Sequence, residues 1–150
     1  EFKLYNYLSR GSDERQYNAP GIDLPIGSLM RTKYGEYPEY HTSGDNLNLI
    51  TSHSLLESLE MYEMVIDVFE NNHKYQTTVL CEPHLGKRGL YPTISTKTIN
   101  EQIIDMMNII AYCDGDHDLL WIAEKMEKPI FELFAIIDNL INHDLIIRVD

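Results

Sequence analysis

From residue 98 to the end of the chain, apolar side chains fall into three helical stripes and one strand-like run, a pattern that few folds can use. Ile99, Ile103, Met106 and Ile110 recur at spacings of three and four, which places them on one face of a helix. Thr98 and Glu101 form a capping-box pattern at its start, and Asp114-Gly115-Asp116 breaks it. A second, shorter helix over residues 118–126 turns Leu119, Ile122, Ala123 and Met126 inward. Pro129 suits the first turn of a third helix, whose core face reads as Phe131, Phe134, Ile137 and Ile141. Residues 145–149 then read as a strand. Three helices with a tight turn between the second and third, closed by a strand, predict a winged helix-turn-helix module over residues 98–150.

The first 72 residues follow different rules. They open with a polar region punctuated by Gly and Pro, and the sequence begins as though in the middle of something. Residues 22–30 are apolar but interrupted by Pro25 and Gly27, which suits a buried or edge strand. A polar, aromatic loop covers residues 34–46. A long helix follows, with Leu55, Leu59, Tyr62, Ile66 and Phe69 on one face, Thr51 or Ser52 as its cap and Asn71-Asn72 at its end. Residues 73–97 read as a connector, with a short strand over 76–81 and a surface loop at Glu82-Pro83-His84-Leu85-Gly86-Lys87-Arg88-Gly89. That loop is the one locally basic place in the sequence.

Asp and Glu outnumber Lys and Arg by 24 to 12, a net charge of -12 that repels phosphate backbones and anionic membranes. No apolar run approaches the roughly 20 residues of a bilayer span, so no membrane is expected as a partner. Cys81 and Cys113 lack metal-like spacing, and two thiols without a secretory signal suggest a reduced, cytoplasmic protein.

A helix-turn-helix raises the question of DNA. From Lys97 onward only Lys97, Lys125, Lys128 and Arg148 stand against eleven acidic residues. The helix that would enter a groove carries Glu132 and Asp138 and no Lys or Arg. Phosphate contacts and base readout both need side chains that this helix lacks, so nucleic acid is not an expected partner. Phe131, Phe134, Trp121 and the isoleucines exceed what a small three-helix core requires, which points to packing against another domain or a second subunit. Asp114, Asp116 and Asp118 do not follow an EF-hand pattern and read as a solvated turn. His53, His73, His84, His117 and His143 have no mutual spacing and read as surface residues.

Two loops of the first 72 residues carry candidate chemistry. Arg10-Gly11-Ser12-Asp13-Glu14-Arg15-Gln16-Tyr17 sets Asp13 just beyond a glycine turn, where it can face a cleft or cap a helix opening at Glu14. Tyr34-Gly35-Glu36-Tyr37-Pro38-Glu39-Tyr40-His41-Thr42-Ser43-Gly44-Asp45-Asn46 sets one His among aromatic and carboxylate residues. Neutral imidazole is a common zinc ligand and a carboxylate can orient it, although a lone loop His is more often a surface residue.

Taken in order, the two loops, the strand between them and the long helix after them resemble the end of the catalytic domain in the di-zinc aminopeptidase clan. That clan includes bacterial leucyl aminopeptidases and glutaminyl cyclases. The wording is closer still to a bacterial branch of aminopeptidase-like proteins associated with surface-polysaccharide gene clusters and carrying a C-terminal winged helix. Gly86-Lys87-Arg88-Gly89-Leu90-Tyr91-Pro92 and the helical tail fit that branch as well, so the resemblance covers essentially the whole chain.

The resemblance implies an α/β fold class, with the C-terminal part of an aminopeptidase-like domain over residues 1–72 ahead of the winged-helix module. It implies that His41 is a zinc ligand and that Asp13 belongs to the catalytic hydrogen-bond network without touching the metal. Many clan members have His after that Asp; here the residue is Glu14. Tyr37 and Tyr40 fall where substrate passes or where the loop packs. The other ligands and the glutamate general base lie earlier in clan polypeptides, so this chain alone is expected to be inactive. The implied parent is a zinc-dependent hydrolase of a peptide or amide bond in a small substrate, linked to polysaccharide biosynthesis. The alternative is a non-catalytic module whose winged helix mediates interaction or homo-oligomerisation, and a transcription regulator ranks third.

Overall fold

A computed structural model of the chain describes residues 2–90 and 97–149, with the side chains of residues 97–100 left aside. The capping box at Thr98 and the side chain of Ile99 therefore lie outside the described residues. The architecture is mixed α/β, as the sequence predicts, and the chain divides into two compact units, Glu1–Ser58 and Leu59–Asp150.

Among the described residues, every buried side chain belongs to the second unit. Its sheet has three antiparallel strands in the order β2-β1-β3, where β1 is Lys74–Thr77, β2 is Asp114–Asp118 and β3 is Ile146–Arg148. The register sets Gln76 opposite both Asp114 and Ile147, so β1 is the central strand. It arises from the stretch that reads as a connector. The strand expected over residues 76–81 lies at Lys74–Thr77 instead, and Cys81 already has a turn conformation with φ 62. In a strand this short only Tyr75 faces inward, so no alternation marks it in the sequence. The Asp114-Gly115-Asp116 stretch, expected as a solvated turn, pairs with β1 through a register shift, and Gly115 there has φ +89. That backbone conformation favours glycine.

Helices α3 (Lys97–Tyr112), α4 (Leu119–Lys125) and α5 (Phe131–Asn142) pack on this sheet. From α3, Met106, Ile109 and Ile110 are buried and Ile103 is partly so. Asp118 caps α4 by accepting from Trp121 N at 2.9 Å, and Asn72 accepts from Leu120 N at 2.8 Å. Leu119, Ile122 and Ala123 then enter the core, with Met126 packed at its edge. The α4–α5 turn uses Glu127 at φ 53, closed by Lys128 N donating to Ala123 O at 3.0 Å. Lys128 Nζ also reaches Asp105 on α3 at 2.6 Å.

The third helix buries a different row from the one its spacing suggests. Leu133, Ile137 and Leu140 are inside, whereas Phe131 and Ile141 are 38% and 39% exposed. Both rows have helical spacing and share Ile137, so periodicity alone admits either. Leu145 and Ile146 complete the core at the start of β3.

No described residue before Tyr75 is buried. The first unit holds a short helix, α1 (Glu14–Tyr17), and the start of α2 (Ser52–Asn71). Residues 22–30, expected as a strand, form no ladder among the described residues. Helix α2 opens on a reciprocal cap, Ser54 N to Thr51 Oγ1 and Thr51 N to Ser54 Oγ, both 3.1 Å. Its predicted apolar face is present but uncovered: Leu55 is 61% exposed, Ile66 56% and Phe69 77%. Only Val68 of that helix packs partly against the core.

Stability should follow this division. Leu133→Ala is expected to cost about 2–5 kcal/mol, whereas Leu55→Ala should fall within about 0.5 kcal/mol of the parent. Urea unfolding followed by far-UV circular dichroism, which reads the helices of both units, measures both. Equal costs would contradict the burial described.

Candidate active site

Both candidate loops lie in the first unit, and hydrogen bonds rather than burial hold them. Asp13 stands at the N-cap position of α1 with helical φ -66 and ψ -28, and its side chain makes no capping bond. The Glu14 side chain instead binds the turn ahead of the helix. Its Oε1 accepts from Gly11 N at 3.0 Å, Ser12 N at 3.2 Å and the Tyr34 hydroxyl at 2.9 Å, while Oε2 accepts from Ser28 Oγ at 3.1 Å. The Gly11 amide does most to lower the Glu14 pKa from 4.5 to about 2, helped by backbone amides at Glu14 and Ser12 and by the Tyr34 hydroxyl. Gly11 is needed because a Cβ there would meet Tyr34 Cε2 at 2.5 Å.

Tyr34 begins the second loop. Its hydroxyl also lies 3.3 Å from Ser9 O, and Lys33 Nζ sits 4.4 Å above its ring. Tyr40 leans on Tyr34 at 6.3 Å between ring centroids and meets Tyr37 edge-on at 5.7 Å. His41 stacks on Tyr40 at 4.0 Å and 17°. The His41 backbone has φ 58, a left-handed conformation uncommon outside glycine. Thr42 holds the turn that follows, donating from Oγ1 to Glu39 O at 2.8 Å and accepting from Gly44 N at 3.1 Å.

Beside these loops runs an open trough of about 710 Å3, lined by residues between Phe2 and Glu36. Cations sit over its rings, Arg10 above Tyr7 at 4.5 Å and Lys3 above Tyr5 at 4.7 Å. Tyr5 donates to Glu36 at 2.7 Å, and that bond is the main cause of a lowered Glu36 pKa.

The structure thus links the Asp13 and His41 loops through Glu14 and Tyr34, two residues to which the sequence reading gave no part in the site. A Glu one residue after a Gly-Ser-Asp turn was the available signal, since that turn exposes amides that a nearby carboxylate can accept from. The zinc implied by the resemblance needs several ligands. His41 offers one, but no three His, Cys, Asp or Glu side chains among the described residues come within reach of one ion. The described residues do not fit a metal site by themselves.

In the second unit, the exposed face of α5 presents Phe131, Glu132, Asp138 and Ile141 and no cation. His117 stacks on Trp121 at 3.7 Å and bonds Asp114 at 2.8 Å, a local contact at the β2–α4 corner. No helix among the described residues is long and apolar enough to cross a membrane.

Three helices on a three-stranded sheet, with a tight α4–α5 turn, define a winged helix-turn-helix architecture. Residues 73–148 match the family model described as winged helix-turn-helix, and the chain belongs to that family. Residues 1–72 match a domain of unknown function, DUF4910. Over 129 residues the chain is 43% identical to a Clostridium acetobutylicum protein named "Putative polysaccharide biosynthesis protein with aminopeptidase-like domain". That match spans 83% of this chain and 29% of the relative. It also superposes, with a TM-score of 0.79 and 38% identity, on a crystal structure titled as a "putative peptidase" from the same organism. There the match covers 93% of this chain and 30% of the solved one, so this chain spans under a third of each relative.

The Glu14 network makes a pH prediction. A carboxylate depressed from 4.5 to about 2 keeps its bonds to the turn above 4.5 and loses them as pH falls through about 2. The Gly11 amide resonance should therefore inflect near 2 in an NMR titration. An inflection at 4.5 would show that the network does not form.

Proposed function

We propose that this chain is part of a larger aminopeptidase-like hydrolase that cleaves a peptide or amide bond in a small substrate during polysaccharide biosynthesis. The observation that carries the reading is physical. Residues 2–74 bury nothing, yet they contain the apolar face of α2 and the exposed side chains of Ile22, Leu24, Ile26, Leu29 and Met30, surfaces that water does not favour leaving open. Such surfaces suit a domain completed by further polypeptide, and the names and lengths of the two relatives support an aminopeptidase-like one.

In that reading, His41 is a ligand to a zinc ion of the di-zinc aminopeptidase clan, and Asp13 orients the groups around it. Asp13 is free of capping duty and exposed, and His41 projects from a tight turn, as such roles require. The remaining ligands and the general base would come from polypeptide outside these residues. Bound zinc would supply Lewis-acid polarisation of the scissile carbonyl. The test is zinc content and hydrolysis of aminoacyl 4-nitroanilides by the full-length protein, wild type against His41→Ala. Loss of about one equivalent of zinc, with a fall in rate of at least a hundredfold, is expected. Unchanged zinc and rate would remove the assignment.

A second reading rests on the uncharged, apolar part of the α5 face. Phe131 and Ile141, with Ile147 and Val149 also exposed, suit association of this protein with itself more than contact with nucleic acid. Light scattering should show a concentration-dependent dimer that Phe131→Asp abolishes. A monomer at every concentration would rule it out.

A further inference from the structure

We infer that Glu14 and Tyr34 form a positioning pair that sets the orientation of His41 relative to the Asp13 turn. The inference rests on the functional reading above and adds two residues to its site. Glu14 follows Asp13 directly and draws the amides of Gly11 and Ser12 onto one carboxylate oxygen. The same oxygen takes the Tyr34 hydroxyl at 2.9 Å, so the Asp13 turn and the start of the His41 loop share one acceptor. The other oxygen takes Ser28 Oγ, which fixes the carboxylate against rotation.

From Tyr34 the connection continues through rings. Tyr34 presses against Gly11, where even a methyl group would clash, so its ring position is set from the Asp13 side. Tyr40 packs on Tyr34 and Tyr37, and His41 stacks face to face on Tyr40. The His41 backbone is left-handed, so the side chain leaves the turn in a direction that an ordinary conformation would not give. Ring stacking then restricts the imidazole. Glu14 accepts from four donors, which takes both oxygens of an ionised carboxylate. Neither Glu14 nor Tyr34 need touch substrate; they act through Asp13 and His41.

The test uses the full-length protein with selectively labelled histidine, the His41 signals being assigned by their loss in His41→Ala. Tyr34→Phe removes one hydroxyl and keeps the ring against Tyr40, and Glu14→Gln keeps the shape while weakening the acceptor. Each should shift the His41 ring resonances and lower kcat about tenfold on aminoacyl 4-nitroanilides with KM unchanged. The double variant should be no slower than the worse single one, because the two residues act as a unit. Unmoved His41 resonances in Tyr34→Phe would overturn the inference whatever the rate does. Moved resonances with an unchanged kcat, in a protein that His41→Ala inactivates, would overturn it as well. Full activity in His41→Ala would instead defeat the functional reading, while the resonances still decide whether the pair orients His41.

Discussion

Among the described residues, burial of apolar side chains is confined to those from Tyr75 onward, and the rest of the structure follows from that confinement. Leu133, Leu140, Ile109 and Ile122 meet beneath a sheet whose middle strand, β1, brings Tyr75 to the same core. Because β1 hydrogen-bonds on both sides, removing it would leave β2 and β3 as separate strands with unpaired edges. The second unit is therefore closed by a segment that precedes all three of its packed helices. Asn72, bonded to both Asp118 and Leu120, fixes the entry to that strand against the start of α4.

The first unit has no such core and relies on directional contacts. A carboxylate with four donors, hydroxyls on backbone carbonyls and stacked rings give its loops definite shapes while their surfaces stay wet. Contacts of this kind are individually weak in water, so they specify geometry better than they supply stability. That balance suits a site whose walls are finished by other polypeptide, since an apolar helix face such as that of α2 gains most when something covers it. The Glu14 side chain, rather than that of Asp13, binds the amides of the turn before α1. One carboxylate organises the turn and leaves its neighbour exposed.

Charge separates the winged-helix architecture from its best-known use. The fold places α5 where a recognition helix would lie, but its exposed side chains are acidic, apolar or, at Asn142, an uncharged amide, with no cation among them. Fold and function part at the surface, because packing needs only Leu133, Ile137 and Leu140 and leaves the opposite side of the helix unconstrained.

Much of the second unit was legible in the sequence, since helices announce themselves locally through a repeat of apolar residues and a capping side chain. The stripes of α3 and α4 are of this kind, and so, in the first unit, is the helix start at Thr51. The cap at Asp118 was not, because the sequence reads that residue as already inside its helix. The absence of cations on α5 needed only counting. The choice between two rows on α5 was not legible, because Phe131 and Leu133 are equally apolar and only the packed neighbours distinguish them. Nor was β1, whose four residues contain one inward side chain and whose partners lie far along the chain. The sequence placed Asp13 and His41 in two loops of the expected wording. Their connection through Glu14 and Tyr34 exists only in three dimensions, because a hydrogen bond between side chains twenty residues apart depends on how the intervening chain turns back.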